Sequence, residues 1–407
     1  MTLVDPDLPS LDLALDPEHV RERFLVEWPG RGRPPVDISG CVRRDTKYTP
    51  GIRLVAAYEL EVRLPDQPDA LTFGVVEATP TGLEHRLARD DLRLPALASL
   101  TQPGVVRSRC EALLGSIEAC RVTPVRYKPA ARCVLRVDLV NGRGPEVFFA
   151  KCIADGGARY ARTLQALAAL NGPELPEFVT PLAFWPDWGT LLQPGVGGTE
   201  LHALVFDPAI PLPLRTRAMR DAGRRVAGLH AAASVFGPPR TLADDVEDLA
   251  TYTATIAQFD DALAARFSAA TAVLERAPVS AEFVPSHGAL RTDAFLLSEG
   301  LRPVLIDLDS FCWAEPARDL GNLLAYLDWR AIRRSAESEG LRAAQAFLDG
   351  YGTLLPLPEG DRLALCHAAS LLKITGRRYR SLNIDEWPLV PRLLDRATVL
   401  LDGCQAA

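Results

Sequence analysis

The sequence predicts an α+β chain of two lobes, a strand-rich N-terminal half followed by a mainly helical C-terminal half. Three observations carry this. A strand–turn–strand pattern occurs twice, at 41–62 and 120–141. From Leu212 onward apolar residues recur at helical spacing, interrupted by one short strand-forming stretch. Between the halves lies Pro194-Gly195-Val196-Gly197-Gly198, a turn-rich segment suited to a hinge. A chain of 407 residues is also too long for one small core, and strands followed by helices make an α+β plan.

In chain order, residues 1–40 hold many prolines and one short helical stretch near Pro17 to Val26, which reads as an arm or partial cap. The first copy of the repeat is CVRRDTKYTPGIRLVAAYELEV and the second is CRVTPVRYKPAARCVLRVDLVN. Aligned without gaps they pair Tyr48 with Tyr127, Pro50 with Pro129, Arg53 with Arg132 and Val55 with Val134. Each reads as strand, Pro-containing turn and strand; the competing reading is a chance likeness of two hairpins. A third apolar strand follows each copy, Ala70 to Val76 and Glu146 to Ile153. The second carries Lys151; at the matching place the first offers Val75 or Val76. A helix is expected at Ala158–Leu170, then short strands near Val179–Trp185 and Gly189–Gln193. The predicted organisation is an arm at 1–40, a first hairpin repeat at 41–119, a strand-rich lobe at 120–193 and a helical lobe at 194–407. Only two copies at this spacing exclude a solenoid.

Composition narrows the function. A net charge of −7 excludes a general nucleic-acid or anionic-membrane binder. No run of about 18 uncharged apolar residues occurs, so no membrane span is expected. The N-terminus lacks the basic start and apolar run of a signal peptide. The eight cysteines are dispersed without a CxxC pair, as expected of free thiols in a reducing cytoplasm. Lysine is scarce: Lys47, Lys128, Lys151 and Lys373 are all there are. A lysine inside the apolar strand Val147 to Cys152 therefore draws notice.

The chemistry concentrates in two segments. One is His287-Gly288-Ala289-Leu290-Arg291-Thr292-Asp293-Ala294. The other is Leu305-Ile306-Asp307-Leu308-Asp309, followed by Glu315-Pro316-Ala317-Arg318-Asp319-Leu320. With Leu229-His230 upstream, this order resembles the aminoglycoside phosphotransferase/choline kinase group, whose pattern is H-G-D-x-x-x-x-N, then I-D, then D-P-x-x-D-L. The resemblance covers about residues 120–390. It implies the bilobal protein-kinase-like fold, ATP and Mg²⁺ as cofactors, and transfer of phosphate to a hydroxyl of a small molecule or peptide. By resemblance Lys151 binds the phosphates, Gln193 lies in the linker that meets adenine, and Asp307 ligates the metal. Such groups suit the task because a lysine neutralises phosphate charge and a carboxylate holds the bridging Mg²⁺. The plain alternatives are a lysine lying along apolar surface and an Asp307 that closes a turn or pairs with arginine. The resemblance makes His287 and Asp319 supports for the loop.

The departures matter as much. The family's catalytic Asp falls on Ala289 and its second metal ligand, Asn, on Ala294. The Glu that positions the lysine is missing, with Gln165 the best-placed polar residue. The turn Tyr127 to Arg132 has no glycine to bring backbone amides to phosphate, leaving Arg132 or Lys128 to act by charge. Asp293 and Asp309 are the candidate substitutes for the missing base and ligand; Asp309 would share a strand face with Asp307 if the strand continued that far. Three functions stay open: a phosphotransferase with an altered site, a pseudokinase serving as scaffold or allosteric partner of another protein, and nucleotidyl transfer on a kinase fold. Two features have plainer alternatives. The run Arg377-Arg378-Tyr379-Arg380 reads as a solvated helix end or a contact for an anionic substrate or peptide. Trp185 and Trp188 read as core or as the lining of a pocket.

Overall fold

A computed structural model describes residues 3–30, 36–63, 69–155, 157–170, 172–233, 237–278, 280, 282–298 and 303–405. Parts of the predicted arm, 1–2 and 31–35, lie outside them. The chain divides into two compact units. The first comprises Met1–Ala161 with Pro181–Gly195, and the second Arg162–Thr180 with Val196–Ala407.

The first unit is built of two antiparallel sheets. Helices α1 (Leu11–Leu15) and α2 (Pro17–Gly30) precede β1 (Asp37–Thr49), β2 (Arg53–Arg63), β3 (Ala70–Thr79) and β4 (Gly82–Leu87), which pair in sequence order. Helices α3 (Leu97–Leu100) and α4 (Pro103–Leu114) precede β5 (Ile117–Lys128), β6 (Arg132–Asn141) and β7 (Gly144–Ile153). Helix α5 (Gly157–Ala168) and β8 (Glu177–Phe178) lead on, and β9 (Ala183–Trp185) and β10 (Thr190–Pro194) complete a sheet of order β5-β6-β7-β10-β9. Alternation sets the faces. On β6, Cys133, Leu135, Val137 and Leu139 point into a core shared with Ala57, Phe73 and Val75 of the first sheet and Leu97, Leu100, Val106 and Cys110 of α3 and α4. Trp185 is buried in that core and Trp188 packs against it. The guanidinium of Arg109 lies over both indoles, at 5.1 and 4.1 Å. Trp185 is therefore core and Trp188 covers its edge.

The duplication extends further than the hairpins. In the first copy the Asp5 carboxylate accepts from the Tyr48 hydroxyl at 2.6 Å and from the Gly51 amide at 2.9 Å. In the second, Asp91 accepts from the Tyr127 hydroxyl at 2.6 Å and the Ala130 amide at 2.8 Å. Gly51 and Ala130 both take the left-handed conformation, φ 65° and 57°. The helical segments before the strands also correspond. Leu8-Pro9, Leu11, Pro17 and Val20 recur as Leu94-Pro95, Leu97, Pro103 and Val106. Residues 5–24 thus belong to the first repeat. Register also corrects the third-strand alignment. Val134 pairs with Lys151, and its counterpart Val55 pairs with Glu77, not Val75 or Val76. The first copy therefore carries an acid where the second carries its lysine. Glu77 is neutralised by Arg86 at 3.0 Å and Arg53 at 3.8 Å.

The second unit is helical: α6 (Leu201–Phe206), α7 (Leu212–His230), α8 (Leu242–Ala257), α9 (Asp261–Glu275), α10 (Pro316–Arg334), α11 (Glu337–Gly352), α12 (Gly360–Arg380) and α13 (Val390–Gln405). Its strands are β8, β11 (Thr199–Glu200), β12 (Pro239–Arg240), β13 (Val284–Ser286), β14 (Phe295–Leu297), β15 (Pro303–Leu305) and β16 (Cys312–Ala314). They form two small sheets, β11-β14-β15-β8 and β12-β16-β13. Helices α7 and α11 cross at Gly223 and Gly350, where a Cβ would lie 2.0 Å from the Phe347 carbonyl oxygen and 1.9 Å from that of Arg220. Among the described residues no helix is long and apolar enough to cross a membrane, and all eight cysteines are free.

Candidate functional site

The residues expected to bind nucleotide share one sheet face of the first unit. Directly opposed residues of an antiparallel pair project to the same side. Lys151 opposes Val134 on β6 and Leu191 on β10, Arg132 opposes Lys128, and Gln193 opposes Phe149. Stepping by two along each strand places Lys128, Arg132, Lys151 and Gln193 together on the face turned away from Ala150, Cys152 and Leu192 in the core. Lys151 is buried, its ammonium 4.8 Å from the centre of the Tyr160 ring. The turn before β6 has no amide to spare for phosphate at its crown. The Ala130 N–H is bound to Asp91 and the Ala131 N–H to the Lys128 carbonyl. Charge on this face comes from side chains.

The second unit holds the loop that follows β13. Asp319, fully buried near the start of α10, accepts from the amides of His287 at 2.6 Å and Gly288 at 2.9 Å. Burial opposes its charge, yet the hydrogen bond and charge of His230, with His287 and Arg318, hold its carboxyl below the usual carboxylate range. His230 Nε2 lies 3.4 Å from Asp319, and its Nδ1 3.0 Å from the Tyr351 hydroxyl. His287 Nδ1 accepts from the Ala289 amide at 3.3 Å, so its Nε2–H donates to the Ile306 carbonyl at 2.9 Å. The imidazole thereby ties the loop to the end of the β14–β15 hairpin. Gly288 has φ 81°, and a Cβ there would meet the Ser310 carbonyl oxygen at 2.0 Å. Asn322 donates to the Leu290 carbonyl at 2.7 Å. Arg318 reaches the Gly288 carbonyl at 3.1 Å while forking onto Asp245 at 2.8 and 2.9 Å. The scaffold of the loop is complete, although its side chains at 289 and 294 are methyl groups.

Arg291, to which the motif gave no role, gathers the acids. Its guanidinium lies 3.1 Å from Asp293 and 3.9 Å from Asp307, and 5.2 Å from the Tyr326 ring centre. Its position inside the loop, two residues past Ala289, was the available signal. Asp307 takes the left-handed conformation, φ 62°, which Asp tolerates better than most residues. Strand β15 ends at Leu305, and Asp309 sits in the 3₁₀ turn Leu308–Ser310. Strand alternation therefore does not relate Asp309 to Asp307. Among the described residues no three His, Cys, Asp or Glu gather as a ligand set. Mg²⁺ takes one or two carboxylates and completes its shell with water and phosphate oxygens. Asp307, about one-third exposed, and Asp293, whose Oδ1 faces Arg291 Nε at 3.1 Å, match that count of carboxylates.

The run at the end of α12 is not a solvated helix end. Arg377 donates to the Tyr326 hydroxyl at 3.2 Å, Arg378 pairs with Glu386 at 2.6 Å, and Tyr379 stacks on Trp387 at 4.5 Å.

The model of the phosphotransferase enzyme family matches residues 154–362. No curated protein matches in sequence. Among solved structures, the chain is similar to a spectinomycin phosphotransferase in complex with ADP and spectinomycin, at 11% identity and TM-score 0.51, covering 74% of this chain and 98% of that one. It is similar to the choline kinase of Streptococcus pneumoniae at 13% identity and TM-score 0.50, covering 74% and 98%. The GDP complex of an aminoglycoside 2′-phosphotransferase mutant gives 14% and 0.51, covering 73% and 98%. At such identities the likeness establishes the kinase-like fold.

Proposed function

The chain belongs to the phosphotransferase enzyme family, and from that premise we propose that it binds ATP and transfers the γ-phosphoryl group to a hydroxyl of a small molecule or peptide. The observation that carries this is the shared face of Lys128, Arg132, Lys151 and Gln193, directed away from the core. Cations on a rigid strand can neutralise phosphate, and a linker amide can hydrogen-bond a base. The neighbouring folds solved with ADP and GDP support a nucleotide as ligand. Asp307, with Asp293, would hold magnesium, which when bound neutralises phosphate charge. In the transfer, the bond from the γ-phosphorus to the bridging oxygen breaks, ADP leaves, and the acceptor oxygen bonds to phosphorus while its proton passes to solvent water. Ala289 cannot take that proton. Loss of a general base costs ~10²–10⁴-fold, which slows transfer without abolishing a reaction that depends mainly on positioning and charge. Free thiols support a reducing, cytoplasmic setting.

A second reading rests on Ala289 and Ala294 themselves: a pseudokinase that binds nucleotide and acts through a protein partner. Thermal unfolding with millimolar ATP, with and without Mg²⁺ and with GTP for comparison, tests the common premise. ATP at 100 times its Kd should stabilise the protein by ~2.7 kcal/mol, and Lys151→Ala and Asp307→Ala should each weaken the shift. No shift in any condition would remove both readings. Turnover of ATP in the presence of hydroxyl acceptors then separates enzyme from pseudokinase.

A further inference from the structure

Arginines converge in the second unit without enough carboxylates to balance them. Arg291 belongs to the loop, Arg330, Arg333 and Arg334 to the end of α10, and Arg377 and Arg378 to the last turn of α12. The acids that pair with them are Asp293 and Asp307, both on Arg291, and Glu386, which takes Arg333 at 3.1 Å and Arg378 at 2.6 Å. Among the described residues, Arg330, Arg334 and Arg377 have no carboxylate partner. Arg334, exposed near the end of α10, meets His202 Nε2 at 3.2 Å and the Phe206 ring at 5.2 Å. Arg377 donates to the Tyr326 hydroxyl. The Nε of Arg378 is buried without a hydrogen-bond partner, while the Nε of Arg291 faces Asp293 Oδ1 at 3.1 Å.

The electrostatics agree with the geometry. Burial, and then Arg333, Arg334 and Arg291, lower the basicity of Arg330 in spite of Asp293. Burial, followed by Arg330 and Arg334, brings His202 down to about 4, so it stays neutral and accepts from Arg334. Crowding like charges and leaving buried donors unpaired both cost stability, and a bound anion would offset both. Guanidinium forks match the oxygens of phosphate.

We propose that this arginine group is a binding site for a phosphate ester, and that the hydroxyl acceptor is itself an organic phosphate. The word acceptor rests on the phosphotransferase reading; the anion site does not. The site uses none of Lys128, Arg132 or Lys151, and it suits an anion where an amino sugar would be repelled.

The test is thermal unfolding of the full chain with inorganic phosphate and with glucose 6-phosphate, at ionic strength held constant with chloride. Both should raise Tm with dose. Arg330→Gln and Arg334→Gln should each weaken the apparent Kd about tenfold, the loss of one charge-assisted hydrogen bond, while Lys151→Ala leaves it unchanged. Arg330→Gln should also raise Tm in the absence of phosphate, because it relieves repulsion; a merely structural arginine would do the reverse. The proposal is overturned by no shift beyond chloride, by equal shifts in wild type and both arginine variants, or by a shift lost in Lys151→Ala alone. Phosphate stabilisation that persists where ATP gives none would sink the nucleotide reading and uphold this site.

Discussion

Two alanines and one aspartate set the chemistry at the scale of single residues. Ala289, where the motif resemblance puts the family's base, is half-buried, and Ala294 is fully buried beneath the loop. The backbone around them is held as firmly as a working loop needs, by Asp319, His287 and Asn322. Ala289→Asp should therefore raise ATP turnover by ~10²-fold or more, read as ADP release with a panel of hydroxyl acceptors. An unchanged rate with intact ATP binding would favour the pseudokinase. Ala294→Asn is a poorer companion, since adding side chain to a packed position typically costs ~1–3 kcal/mol. Asp245 answers a different need. It is buried on α8, forked by Arg318 and bonded to Lys373. Burial alone would raise its pKa, but these two cations bring it down to about 2. Removing it strands two buried cations beneath the loop. Asp245→Ala should cost ~3–5 kcal/mol in urea unfolding, and a loss below 1 kcal/mol would show that the cluster is dispensable.

At the scale of elements, the repeated unit is defined by a carboxylate inserted into a hairpin turn. Asp5 and Asp91 each satisfy a tyrosine hydroxyl and a turn amide. In the second copy this fixes the turn that delivers Arg132 to the cationic face. Asp91→Ala leaves the buried Tyr127 hydroxyl and the Ala130 amide unpaired, which should cost ~1–3 kcal/mol and weaken ATP stabilisation. Asp5→Ala should cost similar stability and leave the ATP shift unchanged, because the first copy carries Glu77 where the second has Lys151. Thermal unfolding with and without ATP distinguishes the two. The hairpins themselves were legible from the pairing of Tyr48 with Tyr127 and Arg53 with Arg132. The Asp-Tyr-amide link was not, since each aspartate lies 36 or more residues from its tyrosine.

For the whole molecule, the carboxyls whose charge the fold favours set its response to acid. Asp5, Asp245 and Asp319 all have lowered pKa values in the fold. A carboxyl that binds its proton less readily when folded stabilises the native state above its unfolded value near 4, and that stability is lost as pH falls through the folded value. His202 acts in the same direction. The unfolded imidazole takes a proton near 6.5 and the folded one only at about 4. Stability should therefore decline modestly below pH 6.5 and steeply from pH 4 toward 2, and His202→Gln should flatten the upper part of that curve in chemical denaturation. A curve of the same shape in the variant would remove His202 from the account.

The strand-rich half followed by a helical half, the repeated hairpin, and the loop with its two alanines were set by local pattern, whereas β4, α3 and α4 gave no such signal. Alternation and helical periodicity act between near neighbours, and the H-G-x-x-x-x-x-x spacing is contiguous. Lys151 stood out because it broke an apolar run, and Asp307 because it followed one. Tertiary structure alone decided which side chains share a face and which charges lack a partner. The register that sets Glu77 against Val55 depends on pairing between strands. The meeting of Arg291, Asp293 and Asp307 depends on how the hairpin β14–β15 closes under the loop. The gathering of arginines from the loop, α10 and α12 depends on helix packing between segments up to 87 residues apart, from Arg291 to Arg378. Contacts of that kind arise from the whole core folding at once, and no local pattern encodes them.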